Sequence, residues 1–112
     1  LANNRVQKFR LADGLFCGAV GTRGSGHEQF QRPVATALCG DTLFVSDTDN
    51  DRIVMLDAGS LAWRGAFGKR GKQPGELTKP AALSVQAHRG ELYVVEPTLQ
   101  RVQVFSLAGL WL

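Results

Sequence analysis

Short apolar segments separated by turn-forming residues run along almost the whole chain, and hardly any stretch has the spacing of an amphipathic helix. Two of these segments, residues 43–47 and 92–96, are rich in β-branched and aromatic residues and lie 49 positions apart. Their composition predicts two equivalent β-strands. A short loop leads from each strand into a further apolar segment, residues 52–56 and 101–105. We predict that each pair of segments forms an antiparallel hairpin.

The segment 52–56 carries apolar side chains on both of its alternating faces. Ile53 and Met55 lie on one face of the predicted strand, and Val54 and Leu56 lie on the other. A strand that is apolar on both faces is typical of a sheet that is covered on both sides. We therefore expect this sheet to be packed between two neighbours.

Two more segments complete each unit. Residues 15–20 match residues 62–67 at a spacing of 47, and the small apolar segments 34–38 and 81–85 each follow a proline. The sequence thus predicts four strands in every repeat of about 48 residues. Four short strands in a repeat of this length are typical of one blade of a β-propeller.

The repeat is also visible in a short motif. Residues 3–9 (NNRVQKF) return as residues 50–56 (NDRIVML), and more loosely as residues 99–105 (LQRVQVF). We therefore predict an all-β fold, a partial β-propeller built of four-stranded antiparallel blades. Because a closed ring needs at least about four blades, we expect a segment of a larger propeller. The chain is divided into the end of one blade, a full blade and most of a third, namely residues 1–30, 31–79 and 80–112.

The motifs resemble those of the NHL-repeat family of β-propellers over essentially the whole chain. Three features carry the resemblance. A proline begins a small apolar strand at 32–35 (RPVA), and the next strand ends in Asp before a polar turn at 43–53 (LFVSDTDNDRI). A Gly-containing connection that ends in proline includes 67–68 (FG) and 75–80 (GELTKP). Asp51 and Gln100 stand where the family has its His, and residues 96–99 replace the family's Asp-Ser-Gly-Asn. The resemblance implies a binding platform, with RNA binding and metal-dependent catalysis also known among related propellers.

Composition and charge are those of an ordinary folded domain. The chain of 112 residues is 44% hydrophobic, with a net charge of +3. No apolar run approaches the roughly 20 residues of a membrane span, so we predict none. Cys17 and Cys39 are predicted to be buried, reduced thiols, which favours a reducing and therefore cytoplasmic compartment.

Several segments can be compared with known ligand-binding motifs. Residues 47–51 resemble the start of a calcium loop, but Arg52 and Ala58 occupy the places of its Gly and Glu, so we predict a turn in which Asp47 accepts backbone N–H groups. Residues 21–26 lack the ending of a phosphate-binding loop, which favours a flexible connection. His27 and His88 are predicted in loops on opposite faces. We predict no catalytic residue, metal site or cofactor.

One arginine recurs in each unit, at Arg5, Arg52 and Arg101. A position that the geometry of a blade imposes recurs in every blade, so we predict a structural role in which the guanidinium bonds carbonyl groups or a carboxylate such as Asp47. A ring of positive charge that faces a ligand is the alternative.

The function predicted from these features is a non-catalytic interaction scaffold within a larger protein or complex. The expected partners of the chain are proteins or peptides and the remaining blades of the propeller, and no DNA is expected. The side chains expected to be exposed on the blade faces include Val6, Phe9, Val102 and Phe105. RNA binding through a basic loop face is one alternative, with Lys69, Arg70 and Lys72 as the candidate residues. A segment of a propeller enzyme whose metal ligands lie elsewhere is the other.

Overall fold

The computed structural model describes residues 4–112, and this part of the chain is all-β. Asn3, the first residue of the repeated motif, lies outside the described residues. The only helical segments in the described range are 3-10 turns of three residues at Thr48–Asn50, Ala87–Arg89 and Pro97–Leu99. No helix in residues 4–112 is long and apolar enough to cross a membrane. The strands are β1 (Val6–Phe9), β2 (Phe16–Val20), β3 (Thr22–Arg23), β4 (Gln29–Phe30), β5 (Pro33–Cys39), β6 (Thr42–Asp47), β7 (Arg52–Asp57), β8 (Trp63–Phe67), β9 (Ala82–Gln86), β10 (Glu91–Glu96) and β11 (Arg101–Ser106).

The longer strands form three antiparallel sheets, and all the strands predicted from the sequence are present. The middle sheet has four strands in the order β5-β6-β7-β8. The C-terminal sheet has three, β9-β10-β11, and Trp111 makes an isolated bridge to Phe105. The N-terminal sheet consists of β1 and β2. Residues 43–47 and 92–96 therefore occupy equivalent second strands, as predicted.

The middle sheet is covered on both faces, which confirms the prediction made from strand β7. On one face, Phe44 and Ile53 belong to a buried cluster with Leu92, Val94 and Phe105 of the C-terminal sheet. On the other face lies a second buried cluster, against which Val6 and Val20 of the N-terminal sheet pack; its members are Phe30, Val45, Val54, Leu56 and Leu61. Alternation along β7 thus sends successive apolar side chains into two different cores.

Two of the four side chains expected to be uncovered are not. Phe9 and Val102 are 53% and 58% exposed, as predicted, but Phe105 is only 2% exposed and Val6 is half-buried. The reason is the direction of alternation along the strand. On β11, Gln103 and Phe105 face the middle sheet, whereas Val102 faces away from it.

The prediction of two buried cysteines is wrong for Cys17 and only partly correct for Cys39. Cys17 is exposed and Cys39 is half-buried, and both are free thiols. The register of β1 on β2 shifts between Lys8 and Phe9, which pair with Gly18 and Phe16, so Cys17 is the additional residue of a β-bulge. A bulge on an outer two-stranded sheet leaves this side chain without a neighbouring sheet to cover it.

Candidate functional site

An arginine clamps the connection that leads into the middle sheet. Arg52, at the start of β7, donates its Nε–H to Asp47 Oδ2 at 2.8 Å. Its two terminal nitrogens donate to backbone oxygens of the connection, at 2.8 Å to Ser25, 3.1 Å to Gly26 and 2.8 Å to Gln29. Asp47 is fully buried. We call Arg52, Asp47 and the connection 21–32 the first clamp.

The same arrangement recurs at the entry to the C-terminal sheet. Arg101 donates its Nε–H to Glu96 Oε1 at 2.7 Å. Its terminal nitrogens reach the backbone oxygens of Lys72 at 2.7 Å and Glu76 at 2.8 Å. We call Arg101, Glu96 and the connection 68–79 the second clamp. The structural role predicted for the recurring arginines is confirmed for Arg52 and Arg101.

Each clamp carboxylate also accepts a backbone N–H from the end of its connection. Asp47 Oδ1 accepts the N–H of Gln31 at 2.8 Å, and Glu96 Oε2 accepts the N–H of Thr78 at 2.8 Å. Asp47 therefore binds backbone as predicted, but from a residue 16 positions earlier rather than from its own turn. Each buried charge is paired and hydrogen-bonded, which burial of a charge requires.

The residue before each recurring arginine adopts a left-handed backbone. The φ angles of Asn4, Asp51 and Gln100 are 53°, 55° and 54°. The side chains of two of them also bind the end of the next connection: Asn4 accepts the N–H of Arg32 at 3.1 Å, and Asp51 that of Lys79 at 2.9 Å. The turns Thr48–Asn50 and Pro97–Leu99 have the same 3-10 form, so the different residues at 96–99 do not change the geometry.

The connections are held by hydrogen bonds rather than being loose, contrary to the prediction for residues 21–26. Strands β3 and β4 pair in parallel, and an equivalent bridge joins Arg70 to Leu77. Gly21 and Gly68 begin the two connections with φ angles of 127° and 112°. A Cβ at Gly21 would lie 2.8 Å from the Cα of Arg5, so the close approach of two backbones requires glycine there.

The three candidate RNA-binding residues lie together on the second connection. Lys69, Arg70 and Lys72 are all exposed. Arg70 forms an ion pair with Asp51 at 2.9 Å while its side chain stays 74% exposed. The indole of Trp111, which is 52% exposed, lies against Gly75 near the end of the same connection. The sequence placed no aromatic residue within this basic stretch, because Trp111 lies far from it along the chain.

Acidic side chains neutralise other cations of the two connections. Asp49 binds Arg32 at 3.0 Å and Lys79 at 3.3 Å. The hydrogen bond from Arg32, with a further contribution from Lys79, lowers the pKa of Asp49 below its ordinary value. Among the described residues, the exposed cations of the two connections that form no ion pair are therefore Arg23, Lys69 and Lys72, whereas Arg70 is paired with Asp51.

The histidines occupy different connections, as predicted. His27 lies between β3 and β4 and stacks on Trp63 with ring centroids 5.0 Å apart, and the Cζ of Arg52 lies 5.2 Å from the centroid of the same indole. His88 lies in the turn between β9 and β10. Residues 4–112 contain no group of three or more His, Cys, Asp or Glu side chains placed to hold a metal ion.

Three apolar surfaces are uncovered, and each belongs to a different sheet. The exposed large apolar side chains are Phe9, Leu11, Leu15 and Phe16 on the N-terminal sheet, Val34 and Leu38 on β5 of the middle sheet, and Val102, Leu110, Trp111 and Leu112 at the C-terminal sheet. Beside Leu38, a cleft of about 590 Å³ opens between β1 and the middle sheet. The exposure of Phe9 and Val102 was predicted from the sequence, whereas that of Val34 and Leu38 on β5 was not.

No protein-family model matches the sequence, and no curated protein matches it as a relative. The candidate site is therefore defined by its own geometry. It consists of two clamped connections, the second of which is exposed and basic, and three uncovered apolar surfaces.

Proposed function

We propose that the three sheets are consecutive blades of an NHL-type β-propeller and that the chain is a non-catalytic scaffold that binds protein partners. The stack of antiparallel sheets and the recurrence of the clamp at a fixed place support the blade assignment. Contact between β5 and β9, the first strands of two successive sheets, fits strands that converge on a common axis. The NHL-like motifs at 32–35, 43–53 and 75–80 favour this type of propeller.

The observation that carries the scaffold function is the set of uncovered apolar surfaces on a stack whose connections are clamped. Fully burying one large apolar side chain is worth about 1.5 to 3 kcal/mol. Contiguous exposed apolar surface of this kind marks interaction sites in soluble proteins. The partners that cover it are further blades of the same propeller or other proteins, and the clamped connections keep the surfaces in a fixed arrangement.

Site-specific photo-crosslinking tests this proposal. A photoreactive amino acid in place of Val102 or Phe9 should capture the same polypeptides repeatedly, because both positions lie on uncovered sheet faces. The same group in place of Asp41, whose side chain is 82% exposed in the β5–β6 hairpin, is the matched control. A Val104→Lys substitution, next to Val102 on β11, should suppress capture from Val102. Capture no greater than that of the Asp41 control would contradict the proposal.

RNA binding is a second candidate, favoured by the exposed Lys69, Arg70 and Lys72 on the connection that Trp111 contacts at Gly75. Lysine and arginine release counterions from phosphates, and an exposed indole can stack on a base. Replacing the three basic residues with alanine should weaken binding of single-stranded RNA and flatten its salt dependence. Trp111→Ala should weaken binding without changing the salt slope, and Arg89→Ala, elsewhere on the surface, should change neither. Affinity that is insensitive to salt in the unaltered chain would exclude this candidate.

A further inference from the structure

A polar cleft of about 510 Å³ lies between the N-terminal sheet and the middle sheet. We call it the rim cleft, because its walls belong to β2 and to the β7–β8 turn, at the outer strands of the two sheets; the lining residues are 19–22, 27–29 and 60–62. In the proposed blade assignment, further strands of the N-terminal blade pair with the other edge of β1, as β6 pairs with β7. These strands lie on the side away from β2, so they leave the rim cleft open.

The polar residues of the rim cleft do not recur in the second connection, although the shape of the connection does. The parallel pairing of β3 with β4 returns 47 positions later as the bridge between Arg70 and Leu77. At this spacing three lining residues are replaced by others, namely Thr22 by Lys69, His27 by Pro74 and Glu28 by Gly75. The geometry of a blade imposes the residues that recur, whereas contacts with a ligand need not recur. The three polar residues are therefore not required for the shape of the connection.

Glu28 occupies a backbone conformation that favours glycine. Its φ angle is 58°, and that of Gly75 at the equivalent place is 86°. A Cβ makes this left-handed conformation unfavourable, so glutamate lowers the stability of the connection relative to glycine. The side chain is exposed, and within residues 4–112 its carboxylate forms no ion pair or hydrogen bond. Strained backbone of this kind clusters at ligand-binding sites.

His27 provides a flat surface next to Glu28. Its ring stacks on the indole of Trp63, with centroids 5.0 Å apart and an angle of 19° between the two planes. The indole covers one face of the imidazole, while His27 stays exposed and lines the rim cleft. The Cζ of Arg52 lies 5.2 Å from the centroid of the same indole, so the first clamp supports the stack. The rim cleft thus combines a flat ring with a carboxylate that has no partner within the described residues.

The charge of the rim cleft is complementary to a cation. Among the described residues that line it, Glu28 is the one carboxylate, and none is a lysine or an arginine. The clamp cation Arg52 is paired with Asp47 at 2.8 Å, and Arg23, on the same connection, does not line the cleft. A guanidinium donates two parallel N–H groups to a carboxylate and also stacks on flat rings. An ammonium is a point charge without a plane to stack, so arginine fits the rim cleft better than lysine.

We propose that the rim cleft binds an arginine side chain of a partner protein, whose guanidinium pairs with Glu28 and stacks on His27. A cleft of about 510 Å³ is in the size range of sites for whole small-molecule ligands, so it has room for residues beside the arginine as well. This room favours an arginine within a peptide segment over a free guanidinium compound. The inference rests on the proposed scaffold function and names the chemistry of one contact with the partner.

Isothermal titration calorimetry of the complete chain with the blocked peptide GSGRGSG tests the proposal. Saturable binding is expected. Lysine or citrulline in place of the peptide's arginine should weaken binding by about tenfold, because lysine cannot stack and citrulline carries no charge. Glu28→Arg should abolish binding, and a peptide with glutamate in place of its arginine should bind this variant. Asp41→Asn, which removes an exposed carboxylate from the β5–β6 hairpin, is the control that should leave binding unchanged.

Two further variants separate binding from folding. Glu28→Gly should abolish binding without lowering the free energy of unfolding in urea, because glycine adopts the left-handed backbone without strain. His27→Phe should keep binding because it keeps a flat ring, whereas His27→Ala should weaken binding by about fivefold. A structural role of Glu28 would instead make Glu28→Gly less stable than the unaltered chain, and that result would overturn the proposal.

The remaining results separate the proposal from its alternatives. Absence of binding, or binding that Glu28→Gly leaves unchanged, would overturn it. Arginine amide that binds as tightly as the peptide would overturn the peptide segment in favour of a small guanidinium compound. Crosslinks from Val102 report on the C-terminal sheet, on the far side of the middle sheet. If these crosslinks persist while the peptide fails to bind, the scaffold function stands and only the assignment of the rim cleft is wrong.

Discussion

Replacing Arg52 with glutamine should strongly destabilise the fold. Arg52 is only 14% exposed and joins three backbone carbonyls of the connection to the carboxylate of Asp47. Glutamine is shorter and uncharged, so it cannot span these partners. The substitution leaves the fully buried Asp47 without its counter-charge.

The magnitude follows from what remains around Asp47. Removing one member of a buried ion pair typically costs about 3 to 5 kcal/mol, because the other charge stays buried and unpaired. Asp47 keeps the N–H of Gln31 and the amide of Asn50, each at 2.8 Å, which places the expected loss at about 3 kcal/mol. Arg101→Gln should cost a similar amount. Arg5→Gln should change the free energy of unfolding by less than about 0.5 kcal/mol, because Arg5 is exposed.

Urea unfolding followed by tryptophan fluorescence measures these differences, since Trp63 lies beside the first clamp. Asp47→Asn combined with Arg52→Gln should cost less than the sum of the single changes, because Asn leaves no unpaired charge. The reasoning would be refuted if Arg52→Gln and Arg5→Gln had equal effects. Strict additivity of the Asp47 and Arg52 changes would refute the proposed coupling within the clamp.

Three further predictions concern pH and association. The pKa of Asp49 lies below its ordinary value of 3.8, so its ion pairs stabilise the fold fully above that pH and are lost as the pH falls through the lower folded value. Between about pH 5 and 2, the free energy of unfolding should therefore fall less in the Asp49→Asn variant than in the unaltered chain. The hydroxyl of Tyr93, the one tyrosine, donates to Glu91 at 2.7 Å, which raises its pKa above 10.0; Glu91→Gln should lower the pKa in ultraviolet titration, and an unchanged value would contradict the bond. The isolated chain should scatter light as species larger than 12.1 kDa, and Val102→Lys with Leu38→Lys should reduce their mass; a monodisperse monomer with one cooperative thermal transition would contradict the exposed surfaces.

The strands and their order could be predicted from the sequence because each strand occurs more than once in the repeats. A single apolar segment such as 34–38 is ambiguous, but its match at 81–85 has the same proline before it and the same kind of strand after it. The structural role of Arg52 and Arg101 was predictable for the same reason. A side chain that bonds to its own sheet and its own connection recurs in every repeat that contains these two elements.

Exposure could not be predicted in the same way. Strands that are apolar on both faces do not indicate which face meets a neighbour, so Phe105 was expected to be uncovered although it lies in a core. Cys17 was missed because a one-residue shift of register changes where a side chain points. The contact of Trp111 with Gly75 depends on the fold bringing distant segments together, and no local pattern in the sequence reports it.

The clamps also explain how repeats with different connections keep one geometry. Apart from its carboxylate, each arginine binds backbone oxygens of the connection, such as those of Ser25 and Lys72, and places no demand on their side chains. Asp47 and Glu96 differ by one methylene yet hold their arginines at nearly the same distance. The shape of a connection is therefore fixed by the clamp while its side chains are free to differ, as the serine and lysine at equivalent places do. A scaffold needs this combination, since specificity for a partner can change without a loss of the surface that presents it.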